Sequence, residues 1–84
     1  MVYYLILCKS LTYAQRTARA IERGGIRAAI IRTPRCISRE GCSYCVKIAE
    51  RHIQDALDRL RQYHIPYKHI YALLEHGELR EVPL

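Results

Sequence analysis

Strand-like and helical stretches alternate in the order β-α-β, cysteine-rich segment, β-α-β, and both helical stretches have a single apolar face. That order predicts an α+β domain of the split βαβ, ferredoxin-like kind, a four-stranded antiparallel sheet with two helices on one face. Two helices of this size need a common apolar surface to cover, and one sheet provides it. With 84 residues and no interdomain linker, the chain reads as a single domain, 1–84. A fold of this kind hosts many unrelated activities, so function has to be sought in particular residues.

Val2 to Cys8 is rich in β-branched and aromatic residues and is apolar at both alternate sets, the pattern of a central strand covered on both faces. One cover is expected from the helices, the other from a second subunit. A homodimer through the open sheet face or an edge is therefore expected, because Tyr3, Leu5 and Leu7 alternate with the equally apolar Val2, Tyr4 and Ile6. Thr12 and Gln15 have capping-box spacing and predict a helix start there. Ala14, Ala18 and Ile21 share one face of that helix, Arg16, Arg19 and Arg23 the other, and Gly24-Gly25 supplies the stop.

Ile26 to Thr33, with Ala28-Ala29-Ile30-Ile31, reads as a second strand that Pro34 ends, since proline cannot donate to a ladder. In the third strand Tyr44, Val46 and Ile48 alternate with Cys45 and Lys47, so Cys45 is expected on the face opposite the first set. From Glu50 to Tyr63 the apolar residues Ile53, Ala56, Leu57, Leu60 and Tyr63 recur with helical period, and Ile65-Pro66 breaks the pattern. Tyr67 to Leu74 predicts the fourth strand. His76-Gly77 predicts a turn before a short tail strand, Glu78 to Val82.

A chain this short buries roughly 60% of its unfolded surface, which leaves no room for a deep enclosed active site. A carrier or binding module is expected rather than a stand-alone enzyme. The longest apolar run, Val2 to Cys8, is far below the roughly 20 residues of a membrane span, and no basic segment precedes it. A cytoplasmic protein without membrane attachment is expected. Its thiols would then be kept reduced, which favours redox, metal or nucleophile chemistry over a disulfide framework.

Charge is unevenly spread. Residues 1–39 hold eight Lys/Arg against one acidic residue, Glu22, whereas residues 40–84 hold six against seven. The basic half is either a solvated helix face or a surface for an acidic partner. Nucleic acid is not the expected partner, because the aromatic residues are not interleaved with the arginines along the chain. A basic RNA-binding module remains the weakest of the three functional readings.

The chemistry is concentrated in Thr33 to Cys45, which holds Cys36, Cys42 and Cys45 among polar residues, with Pro34 and Gly41 marking irregular backbone. Cys42-x-x-Cys45 leads into a strand rather than opening a helix, so the helix N-terminus that activates a thioredoxin-type cysteine is missing. Cys36, Cys42 and Cys45 are also a candidate zinc trio, with Cys8, His52, His64, His69 or His76 as the fourth ligand. Alternatively one cysteine is the reactive group. Cys42, beside Gly41, has Arg35 and Arg39 close in sequence, and nearby cations favour the thiolate. Cys36 and Cys45 are then resolving thiols or packing residues. For Cys8 and Cys45, both on predicted strands, burial as small apolar side chains is the simpler reading. No phosphate-binding glycine loop or Ser/His/Asp arrangement occurs, and no cofactor is expected.

Several short pieces together resemble a known family. They are Tyr4-Leu5-Ile6-Leu7, Ser10-Leu11-Thr12 with Ala14, Gly25-Ile26, Thr33-Pro34-Arg35 with Ile37-Ser38, Gly41-Cys42-Ser43-Tyr44 with Val46-Lys47-Ile48, and Ile70-Tyr71. In this order they resemble the small bacterial selenium/sulfur carrier-like domains. The resemblance implies that Cys42 is the family's cysteine, that sulfur or selenium is carried as a persulfide or selenopersulfide, and that the partners are donor and acceptor proteins. Cys36 and Cys45 depart from that pattern, which keeps a metal-binding or thiol redox-sensing module open as the alternative.

Overall fold

The computed structural model describes residues 2–34 and 44–82. Its elements are β1 (Tyr3–Cys8), α1 (Leu11–Glu22), β2 (Ala29–Arg32), β3 (Tyr44–Ala49), α2 (Ile53–Gln62), β4 (His69–Leu73) and β5 (Leu79–Glu81), with a 3-10 turn, Glu50–His52, leading into α2. The sheet runs β2-β3-β1-β4-β5, and each neighbouring pair is antiparallel. The α+β class and the antiparallel sheet agree with the sequence reading. The expected count of four strands does not, because the tail strand joins the sheet as a fifth. Gly77, at a φ of 87°, allows the tight reversal, and Leu73 then pairs with Leu79 and Tyr71 with Glu81.

Both helices pack on one face of the sheet. Ile6 and Cys8 of β1 and Val46 and Ile48 of β3 join Ala14, Ala18 and Ile21 of α1 and Ala56 and Leu60 of α2 in one buried cluster. The small alanines of α1 let its backbone lie close to the sheet, while α2 contributes the larger Leu60. Helix α1 begins two residues before the expected cap. Ser10 has extended backbone, φ −154° and ψ 171°, and its Oγ accepts a hydrogen bond from the Tyr13 N–H at 3.4 Å, which places Thr12 inside the first turn. At the other end Gly25, at a φ of 79°, closes the helix as the sequence suggested. Helix α2 stops where His64 adopts a left-handed φ of 54°, so that the Ile65 N–H donates to the Leu60 carbonyl at 3.0 Å.

The second face of the sheet is covered from within the chain. Leu5 (1% exposed), Leu7 (6%) and Cys45 (0%) form a smaller cluster against which Ile31, Tyr71 and Leu79 pack. The homodimer was expected because one apolar set of β1 would otherwise lie bare, and these large neighbours on β2, β4 and β5 remove that requirement.

The main cluster gives a direct test of the packing. Leu60 is fully buried between α2 and the sheet, so Leu60→Ala should destabilise the domain by about 2–5 kcal/mol in urea unfolding. The half-buried Leu57 should cost less when cut to alanine. Equal losses at the two positions would contradict the assignment of the buried helix face.

Candidate functional site

The cysteine segment is strung between the two strands that pair at the edge of the sheet. Arg32, the last residue of β2, is the register partner of Tyr44, the first residue of β3. The ends of the segment are therefore held side by side across a ladder, roughly 5 Å apart. Thr33 is buried and Pro34 half-buried at the exit of β2. Arg35, Cys36, Arg39 and Cys42 lie outside the described residues; Cys45 and Cys8 lie within them.

Cys45 is the second residue of β3 and points, as its alternation with Val46 predicts, away from the helices. It is nevertheless fully buried between Leu5 and Leu7 on one side and Ile31 on the other. Desolvation pushes its thiol up to about 11, with a small further rise from Cys8 and a partial offset from the neighbouring Thr33 hydroxyl. No hydrogen bond of ordinary geometry reaches Thr33 Oγ1 from the described residues, so that offset is weak and burial governs. Cys45 packs as a small apolar side chain.

Cys8 is buried on the opposite face, in the helix-covered cluster. Its Sγ lies 3.5 Å from the Ile6 carbonyl and 3.7 Å from Thr17 Oγ1. Burial raises this thiol as well, and the Thr17 contact lowers it by less. The sheet separates the two sulfurs. A metal ion bound by Cys45 on its own face would therefore not take Cys8 as the fourth ligand.

The four histidines disperse. His52 follows β3 in the 3-10 turn, where its Nε2 accepts from Arg51 Nε at 3.2 Å. His64 ends α2. His69 stands on β4 with Nδ1 3.3 Å from Glu81 Oε2, and His76 has Nε2 3.1 Å from Glu78 Oε2. His69 and Cys45 both flank Leu7 in the ladders, which sets them two strand spacings, roughly 10 Å, apart. Among the described residues no group of three or more His, Cys, Asp or Glu side chains is placed to hold a metal ion. No described helix is long and apolar enough to cross a membrane.

Residues 3–72 match the model of a family described as "Putative Se/S carrier protein-like". The chain belongs to this family. The matched region takes in β1 to most of β4, including the whole cysteine segment, and ends before the His76-Gly77 turn and β5. Comparison with curated proteins and with solved structures gave no match.

Burial of Cys45 has a consequence for stability. Its folded-state thiol titrates near 11, whereas an unfolded one titrates at roughly 8.5. Below that lower value both states keep the proton and the stabilisation is fully present. As pH rises toward 11 the unfolded chain ionises first and the stabilisation is lost. Urea unfolding at about pH 8 and about pH 10.5 should show a smaller pH-dependent loss for Cys45→Ala than for the unaltered protein. Identical losses would mean that Cys45 is not sealed from water.

Proposed function

We propose that the protein is a carrier whose Cys42 accepts a sulfane sulfur or a selenium atom from a donor protein and passes it to an acceptor. The observation that carries this reading is the family match across residues 3–72, joined to a division among the cysteines. Cys8 and Cys45 are buried with their thiols raised, which makes them poor nucleophiles at neutral pH. The cysteines left for exchange are Cys36 and Cys42, in the segment tethered between β2 and β3.

The exchange needs no oxidant. The Cys42 thiolate attacks the outer sulfur of a donor persulfide, the donor thiolate leaves, and Cys42 holds the sulfur as its own persulfide. Attack by an acceptor thiolate on that outer sulfur regenerates Cys42. Arg35 and Arg39 favour the Cys42 thiolate, and the basic first half of the chain offers a docking surface to an acidic face of the donor or acceptor. Cys36 is the second thiol of the same segment. A short segment tethered at both ends to strands suits handover between proteins, and a reducing cytoplasm keeps its thiols free.

Thiol labelling followed by mass spectrometry tests the assignment. Under native conditions near pH 7, Cys42 should alkylate faster than Cys36, and Cys8 and Cys45 should react after denaturation. Arg35→Gln with Arg39→Gln should slow Cys42 several-fold, and added salt should slow it in the unaltered protein. A Cys42 no more reactive than the other three would overturn the reading. Protection of Cys36, Cys42 and Cys45 together, released by a chelator, would replace it with a metal site.

A further inference from the structure

A groove of about 590 Å³ opens at the end of the sheet where β1, β2 and β3 meet, on the face away from the helices. Its size falls in the roughly 300–1,000 Å³ range of ligand clefts. Three cationic side chains and a histidine line it: Arg27 from the approach to β2, Lys47 from β3, and Arg51 and His52 from the turn after β3. Among the described residues Arg27, Lys47 and Arg51 form no ion pair with a carboxylate. Glu50 and Glu75 line an adjacent, smaller recess that Arg51 also borders. The floor is low and apolar, formed by Ala29 and Ala49, and one wall is the ring of Tyr3.

The Lys47 ammonium sits over that ring, 4.2 Å from its centroid. A phosphate in the groove would draw the ammonium, on its flexible stem, off the ring and leave the aromatic face open to a flat partner. The aromatic surface continues beyond the groove. Leu5, on the same face of β1 as Tyr3, pairs with Tyr71 of β4, and the ring of His69 lies 6.4 Å from that of Tyr71.

We propose that the groove and the aromatic face beyond it bind single-stranded nucleic acid, RNA or DNA, with a phosphate at Arg27, Lys47 and Arg51 and bases against Tyr3 and Tyr71. Two half-buried rings on one sheet face, beside a groove whose lining holds cations and no carboxylate, match a strand of linked nucleotides better than one small anion. Guanidinium groups meet phosphate oxygens in paired hydrogen bonds, and ring faces accept any base. This site lies at the Ala29–Lys47 end of the β2-β3 ladder, whereas the segment with Cys36 and Cys42 leaves from the Arg32–Tyr44 end, so its test is independent of the carrier chemistry.

Fluorescence anisotropy of labelled oligo-U and oligo-dT of about twelve nucleotides, titrated with the full chain, tests the proposal. Arg27 and Arg51 are exposed, so Arg27→Gln with Arg51→Gln should keep the fold, weaken binding at least about tenfold and reduce the salt slope by about 1.4. Arg16→Gln with Arg19→Gln removes the same charge from the exposed side of α1 and should change affinity less than about threefold. Tyr3→Leu should cost about tenfold while Tyr3→Phe binds like the unaltered protein. A preference between oligo-U and oligo-dT identifies which strand the face takes, and binding of either supports the site. Three results would each overturn it: no binding at low salt, equal losses for the two arginine pairs, or a free mononucleotide competing as well as the strand.

Discussion

Strand β1 pairs with β3 along one edge and with β4 along the other, and its last four residues, Leu5 to Cys8, are all buried. Ile6 and Cys8 enter the cluster beneath the helices, and Leu5 and Leu7 enter the cluster on the far face. Every other layer is positioned from this strand. The helices have a floor because Ile6 and Val46 are adjacent in the ladder, and the far face is closed because Tyr71 and Leu79 reach over Leu5 and Leu7. Loss of apolar character at Leu5 or Ile6 would therefore disturb two clusters through one backbone.

Because β3 is held against β1, the fate of Cys45 is fixed by register. It pairs with Leu7 on one side and Ile31 on the other, and those neighbours exclude water from its sulfur. The same register ties Arg32 to Tyr44 and so fixes both ends of the segment that carries Cys36 and Cys42. The scaffold and the segment proposed for the chemistry thereby meet at the first residues of β3. A thiol that contributes to packing is raised by burial, and the proposed exchange falls to the cysteines before the strand.

Much of this was legible in the sequence. The alternation of Val46 and Ile48 with Cys45 and Lys47 gave the two faces of β3, and the Ala14, Ala18, Ile21 spacing gave the buried stripe of α1. Other features depend on partners that local pattern does not reveal. Ser10 and Thr12 are both good caps, and the extended backbone at Ser10 decides between them. The tail strand was visible, but its membership of the sheet comes from the Leu73 and Leu79 pairing. The apolar second set of β1 suggested a missing subunit because nothing nearby in sequence covers it; Ile31, Tyr71 and Leu79 do so from a distance. Likewise, Tyr3 and Lys47 are far apart in the chain and stack in space. That long-range pairing is why an aromatic and basic surface escapes a reading of residues in order.

The central claim is that sulfur resides on Cys42 while the buried thiols stay out of the exchange. Incubating the protein with a cysteine desulfurase and L-cysteine, then mapping the adducts by mass spectrometry of peptides, measures this directly. A mass gain of one sulfur atom on the Cys42 peptide, abolished in Cys42→Ser and reversed by a reductant, is the predicted result. Sulfur found instead on Cys8 or Cys45, or loading that persists undiminished in Cys42→Ser, would contradict the account.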